Sequence, residues 1–244
     1  MQAVIDYTLY LADSALIVAQ RNGDWCGHGP VLEQDIAITN ITLDLIGQAR
    51  SLYQYAATLI GGDATEDSLA YLRNEREFKN CLLAEQPNGD WGQTILRQYF
   101  FSCFQREQYT ALLTHPNETL AAIAEKSLKE VNYHCRWSGE WVIRLGDGTA
   151  ESRQRMCVAL EQLWPYTGEL FSAAPYEKEV NMDPVQIQAR WQQQIETTLT
   201  AATLPIPASV FMHSGGKTGV HSEELGYLLA TLQYMQRSYP GSNW

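Results

Sequence analysis

Val131 and His134 stand three residues apart in a helical stretch that runs from Ala121 to Leu145. Leu45 and Gln48 repeat that spacing in a second long stretch. Residues three apart on an α-helix share a face. A bundle that holds two irons uses this spacing for a Glu-x-x-His pair on each of two helices, with one further glutamate from each of two others. Oxygen ligands stabilise ferric iron, imidazoles complete the sphere, and open positions accept dioxygen. Here valine and leucine fill the glutamate slots, and glutamine fills one histidine slot. The seam of the first helix offers Ala15, and that of the fourth offers Ser102 or Cys103 according to register. Leucine, valine and alanine cannot ligate a metal, and one histidine with one glutamine cannot hold two irons. No catalytic residue, metal or cofactor is therefore expected in this chain. Asp13, Asp44, Glu107 and Glu130 are nearby carboxylates. Asp44 and Glu130, however, each precede an in-seam residue and point about 100° away around the helix. Glu130 and His134, four apart, suit a surface ion pair or one stray zinc ion. His134 is expected at the edge of the core, bonded to a polar neighbour such as Gln48.

A second constellation is Gly215-Gly216-Lys217-Thr218-Gly219. It ends like a phosphate-binding loop but lacks the upstream spacing and the preceding strand. It is expected instead as a glycine-rich loop that docks against a partner, with Lys217 free to meet a phosphate or carboxylate. His213 and His221 flank this loop and are expected to be structural. Ser-His-Asp and Cys-His nucleophile arrangements have no local support.

The elements that must position these residues are helices. Residues 3–21 carry Val4, Thr8, Leu11, Ala15 and Val18 on one stripe. Residues 31–60 carry a seam of Ile38, Ile41, Leu45, Gln48, Leu52, Tyr55 and Leu59, in steps of three and four, which is the pattern of a packed bundle helix. Residues 117–145 carry the seam Ala124, Leu128, Val131, Cys135, Ser138, Val142 and Leu145. Further helices are predicted over 66–85, 91–113, 149–172, 184–203 and 225–237, with 175–184 as a connector. Gly61-Gly62, Pro87-Asn88-Gly89 and Gly146-Asp147-Gly148 punctuate them, and Asn117 and Thr149 are placed as N-caps. No stretch alternates with a period of two. The prediction is one all-α domain over 1–244, built as a four-helix bundle with flanking helices.

Composition bounds the partners. The net charge of −11, with 17 basic residues among 244, argues against nucleic acid and anionic membranes. No apolar run approaches the ~18 residues that span a bilayer, and the N-terminus has no signal-peptide pattern. Five widely spaced cysteines, at 26, 81, 103, 135 and 157, are expected as reduced core thiols of a cytoplasmic protein. Seven tryptophans and thirteen tyrosines suit a large protein interface as well as a core.

Several stretches, in order along nearly the whole chain, carry a resemblance. They are Gly23-Asp24-Trp25-Cys26-Gly27-His28, Leu43-Asp44-Leu45-Ile46-Gly47-Gln48-Ala49-Arg50, Glu85-Gln86-Pro87-Asn88-Gly89, Arg97-Gln98-Tyr99-Phe100, Lys129-Glu130 with Tyr133-His134, and Gly215-Gly216-Lys217 with Gly219 and His221. With them the chain resembles the structural subunits of bacterial ring-1,2-phenylacetyl-CoA epoxidases, multicomponent oxygenases of phenylacetate breakdown. The resemblance implies a ferritin-like fold and a non-catalytic role. It implies a heterodimer, assembling further, with a related catalytic subunit that holds the di-iron centre, and a separate reductase that supplies electrons. Aligned by helix register, the two Glu-x-x-His pairs of that catalytic subunit fall on Leu45/Gln48 and Val131/His134. Together with Ala15 and Ser102 these become vestigial di-iron positions. The alternative is a di-iron oxygenase or oxidase in its own right, and a third reading that the resemblance opens is direct binding of the CoA ester through Lys217 or Arg50.

Overall fold

The computed structural model describes residues 1–208 and 210–242. Ser209, Asn243 and Trp244, part of the expected 1–244 domain, lie outside the described residues. The described residues are helical and irregular, with no strand among them. Four long helices form the framework: α1 (Gln2–Gly23), α2 (Leu32–Ile60), α5 (Trp91–Leu112) and α6 (Glu118–Gly146). The shorter ones are α3 (Glu66–Tyr71), α4 (Leu82–Glu85), α7 (Ala150–Leu163), α8 (Pro175–Glu179), α9 (Val185–Ala201), α10 (Glu223–Leu232) and α11 (Tyr234–Ser238).

α1 pairs with α2 and α5 pairs with α6, and α2 packs across α6 to join the two pairs. The cross-helix partners show the directions. Asp13 meets Tyr53 while Gly23 faces Thr42, so α1 and α2 are antiparallel. Asp44 meets His134 while Gln48 meets Glu130, so α2 and α6 are antiparallel too. The expected seams face inward: Ile38, Ile41, Leu45, Gln48 and Leu52 on α2, and Ala124, Val131, Cys135, Ser138 and Val142 on α6, are all buried. α1 is buried on nearly every side from Tyr7 to Ala19, because α8 and α4 cover the faces that α2 leaves open. α7 and α9 cover α5 in the same way.

The expected caps form. Asn117 Oδ1 accepts from the Leu120 amide at 3.0 Å and Thr149 Oγ1 from the Ser152 amide at 3.1 Å. Gly61, at φ +76°, stops α2.

Four stretches differ from the expected ones, and the last of them, the helix predicted over 225–237, is divided at Gln233 into α10 and α11. The helix predicted over 66–85 is broken into α3, a 3₁₀ turn at Glu75–Glu77, and α4. The cause is a buried carboxylate. Asp13 on α1 is fully buried and takes the Lys79 amide at 2.8 Å as well as the Arg73 guanidinium. A helical backbone through 72–81 would commit that amide to its own ladder. Phe78, Asn80 and Cys81 are buried along the same segment. The helix predicted over 149–172 ends at Leu163, because Pro165 cannot continue it, and two 3₁₀ turns, Trp164–Tyr166 and Gly168–Phe171, follow. The connector 175–184 contains α8, opened by Pro175 at its first position.

Candidate functional site

The six positions singled out as di-iron slots all lie inside the bundle. Ala15, Leu45, Ser102, Val131 and His134 are 0% exposed and Gln48 is 2% exposed. Leu45 and Val131 belong to the continuous apolar core. The polar groups beside them bond to one another, with His134 Nδ1 and Gln105 Oε1 left unpartnered. His134 Nε2 meets Asp44 Oδ2 at 2.9 Å, so the expected bond from His134 to Gln48 is not the one formed. Gln48 Nε2 instead donates to Glu130 Oε2 at 2.9 Å. Gln48 Oε1 accepts from Gln105 Nε2 at 3.0 Å and from the Tyr109 hydroxyl at 3.4 Å. Glu130 and His134 therefore form neither an ion pair with each other nor a shared metal site, because each reaches across to α2. The side chains at 44 and 130, set 100° off the seam, span the α2–α6 crossing because they are long enough to reach around it.

Two features of this arrangement bear on metal binding. First, the His134 Nε2–Asp44 contact is what a metal-ligating histidine makes with its outer ring nitrogen. With Nε2–H donating to Asp44, the tautomer the bonding network assigns, Nδ1 carries a lone pair, and this buried atom has no partner. Second, the slots that would supply carboxylates hold Leu45, Val131 and Ala15. Among the described residues no group of three or more His, Cys, Asp and Glu is placed to hold a metal. Leu45, Val131 and Ala15 themselves carry no donor atom for iron.

Ser102 is part of a buried polar chain. Asn22 Nδ2 donates to Gln98 Oε1 at 2.6 Å, and Gln98 Nε2 donates to Ser102 Oγ at 2.7 Å. One residue on, Cys103 Sγ lies 2.9 Å from Cys135 Sγ of α6. All five cysteines are free thiols; Cys26 is exposed and Cys157 half-buried, so the expectation of core thiols holds for Cys81, Cys103 and Cys135 only.

The glycine-rich loop is turned the other way from expectation. Lys217 is buried, and its Nζ donates to the Leu170 and Ser172 carbonyls, each at 3.1 Å, and to Glu177 Oε2 at 3.0 Å. Glu169, also buried, accepts from the Gly215 amide at 2.7 Å and the Leu82 amide at 2.6 Å. Buried carboxylates need such donors, and the loop supplies them. Gly216 is required because a Cβ there would run into the Asn80 carbonyl, and Gly219 sits at φ +83°. Lys217 is thus no contact for CoA. Arg50 remains exposed, held by Glu66 at 2.8 Å beside a cleft of about 300 Å³ whose other lining groups include Asp67; two carboxylates there oppose a phosphate.

His213 stacks on Tyr166, while the His221 side chain is enclosed between the Phe78 carbonyl and Glu85 Oε2, each at 2.9 Å. Burial works against the charged imidazole, but the hydrogen bond and charge of Glu85 outweigh it and raise the His221 pKa. A raised folded pKa stabilises most below the unfolded value of about 6.5, and that stabilisation is lost as pH rises through the folded value. His221→Gln should therefore cost most stability near pH 6 and progressively less toward about pH 9. Urea denaturation at both pH values checks this; a pH-independent difference would refute it.

Several family-resemblance residues prove to be one hydrogen-bonded cluster around buried Arg97 that the sequence did not join up. Arg97 is fully buried and donates to the Gln86 carbonyl at 2.7 Å, Asn88 Oδ1 at 2.7 Å and Asn22 Oδ1 at 3.3 Å. Trp25 Nε1 donates to Thr94 Oγ1 at 2.9 Å. These residues pin the 22–28 turn to the start of α5.

The fold and its interior define a class. Among solved structures the chain is similar to a protein with aldehyde deformylating oxidase activity from Synechococcus, at 14% identity and a TM-score of 0.56, over 83% of this chain and 88% of that one. The architecture is a ferritin-like four-helix bundle with flanking helices. Within that class, the chain belongs to the phenylacetic acid catabolic protein family, whose sequence profile matches residues 1–244. A subunit of the 1,2-phenylacetyl-CoA epoxidase of Escherichia coli (strain K12) is 45% identical over 249 residues, covering 100% of both chains. Among the described residues no helix is long and apolar enough to cross a membrane.

Proposed function

We propose that this chain is the non-catalytic structural subunit of a 1,2-phenylacetyl-CoA epoxidase, and that it braces a related di-iron catalytic subunit. The observation that carries this reading is the full burial of Leu45 and Val131 in the slots where a di-iron bundle places its paired glutamates, in a chain 45% identical end to end to a subunit of such an epoxidase. His134 with Asp44 is then the remnant of a ligand and its outer-sphere carboxylate, and Gln48 the neutral replacement of a second histidine. Exchanging charged ligands for Leu, Val and Ala removes the desolvation cost of buried carboxylates that a metal would otherwise offset. The result is a stiff apolar bundle that needs no cofactor. It works as one domain in the cytoplasm, with the reductase acting on the catalytic partner.

A partner has a surface to use. Leu32, Ile36, Leu43 and Ile46 fall on one outward stripe of α2, and Leu32 and Leu43 are 71% and 61% exposed. Exposed large apolar side chains in a row, rather than scattered singly, are what a protein interface requires.

Co-expression with the catalytic subunit should give a complex that survives gel filtration and converts phenylacetyl-CoA to its ring epoxide when a reductase is supplied. Omitting this chain should abolish conversion or reduce it by on the order of tenfold or more, through loss of a stable catalytic subunit. Full activity of the catalytic subunit alone, or activity of this chain alone, would sink the proposal.

A further inference from the structure

Cys103 on α5 and Cys135 on α6 face each other across a closely packed helix pair of the bundle, with their sulfurs 2.9 Å apart. A disulfide requires about 2.05 Å, so less than about 1 Å of closure separates the two thiols from a covalent link. Their helices are antiparallel neighbours, and 32 residues separate the two positions in sequence. The pair is not a sealed core contact. Arg106, one turn further along α5, places Nη1 at 3.5 Å from Cys135 Sγ, and its side chain is 26% exposed. The dithiol therefore lies one guanidinium beneath the surface. Glu107, a neighbouring carboxylate whose charge opposes a Cys135 thiolate, is engaged by Arg106 at 3.0 Å and by Arg190 at 2.7 Å, so its charge does not act on the thiols alone.

We propose that Cys103 and Cys135 form a peroxide-oxidisable dithiol that closes into a disulfide linking α5 to α6. Cys135 is the attacking sulfur, because it sits against the Arg106 guanidinium, and Cys103 is the resolving one, because it is fully buried behind it. The thiol–thiol hydrogen bond and Arg106 lower the Cys135 pKa, whereas burial pushes Cys103 up. Cys81, buried with no such partner, is pushed up to about 12 and stays a thiol.

The chemistry balances with hydrogen peroxide as the oxidant. The Cys135 thiolate attacks one peroxide oxygen and the O–O bond breaks. The hydroxide released takes a proton and leaves as water, and Cys135 becomes a sulfenic acid. The Cys103 sulfur then attacks the Cys135 sulfur, the S–S bond forms, and the hydroxyl leaves with the thiol proton as a second water. Two thiols are oxidised by two electrons and one peroxide is reduced to two waters.

The test is peptide mapping of the purified full-length chain after limited hydrogen peroxide, alkylation and digestion without reductant. The expected result is a linked Cys103–Cys135 peptide, appearing before oxidation of the exposed Cys26 or the half-buried Cys157. In Cys103→Ser, dimedone should capture a sulfenic acid at Cys135; in Cys135→Ser, Cys103 should resist oxidation on the order of tenfold longer. Oxidation of Cys26 or Cys157 while both partners remain alkylatable on unfolding would overturn the proposal. So would equal oxidation of Cys103 in the presence and absence of Cys135. The mapping of the unsubstituted chain decides the matter even if a variant fails to fold.

Discussion

The double substitution Leu45→Glu and Val131→Glu should bring the chain close to unfolding. Both positions are 0% exposed and sit in apolar surroundings on helices that cross each other. An uncompensated buried charge costs about 3–5 kcal/mol, and two of them approach the whole stability of an ordinary domain, about 5–15 kcal/mol. The two carboxylates would also face each other across the α2–α6 crossing, so the costs should add or exceed additivity. The neighbouring polar groups offer no relief, since Gln48 is taken by Glu130 and Gln105, and His134 Nε2 by Asp44. Burial raises the pKa of such carboxyls, so the loss should shrink as pH falls and protonation removes the charge. Leu45→Gln with Val131→Gln, of the same size but uncharged, should lose less at neutral pH. Urea denaturation of the three proteins measures this. Unchanged stability of the double glutamate variant, or its rescue by ferrous iron, would show that the interior still accepts a metal site.

Asp13→Ala should be the most damaging single substitution on α1, at about 3–5 kcal/mol. Asp13 is fully buried and ties three partners to α1. It pairs with the Arg73 guanidinium through both oxygens, accepts the Tyr53 hydroxyl at 2.6 Å, and accepts the Lys79 amide at 2.8 Å. Arg73 also lies over the Phe78 ring, 4.2 Å from its centroid. Removing the carboxylate leaves a buried guanidinium unpaired and frees the backbone of 72–81. Arg73→Met alone should cost less than Asp13→Ala if Asp13 keeps its Tyr53 and Lys79 donors. Asp13→Leu with Arg73→Met should recover part of the loss, because a buried ion pair replaced by apolar groups of similar volume is often near neutral. A double-mutant cycle by chemical denaturation gives the coupling; independent, additive effects would refute the cluster.

These two sites mark how far the sequence could be read. The long helices were legible because α2 and α6 repeat apolar residues every three or four positions, and the register of that repeat put Leu45 level with Gln48 and Val131 level with His134. The caps at Asn117 and Thr149 were legible because capping is local. The broken segment 72–81 was not, because its cause, Asp13, lies 60 residues away from Arg73 and the stretch itself is helix-compatible. Lys217 was misplaced for the same kind of reason. Its direction is set by Glu169 and Glu177, which belong to a segment whose turns the sequence pattern did not resolve. The Asp44–His134 and Gln48–Glu130 pairs were hidden by the seam logic itself. That logic ranks residues by the direction of Cβ, whereas the side chains of Asp44 and Glu130 reach around the helix to the crossing. The Cys103–Cys135 contact could have been suspected from both residues lying one step from named slots, but only the relative register of α5 and α6 shows that they meet.

On the proposed reading this bundle has given up its metal and serves a partner that keeps one. The most direct test is the iron content of this chain, purified alone from cells grown with excess iron and measured by mass spectrometry against protein concentration. The expected value is well under about 0.1 iron per chain, with His134 and Asp44 intact and the helical fold unchanged. About two irons per chain, the content of a di-iron bundle, would contradict the reading.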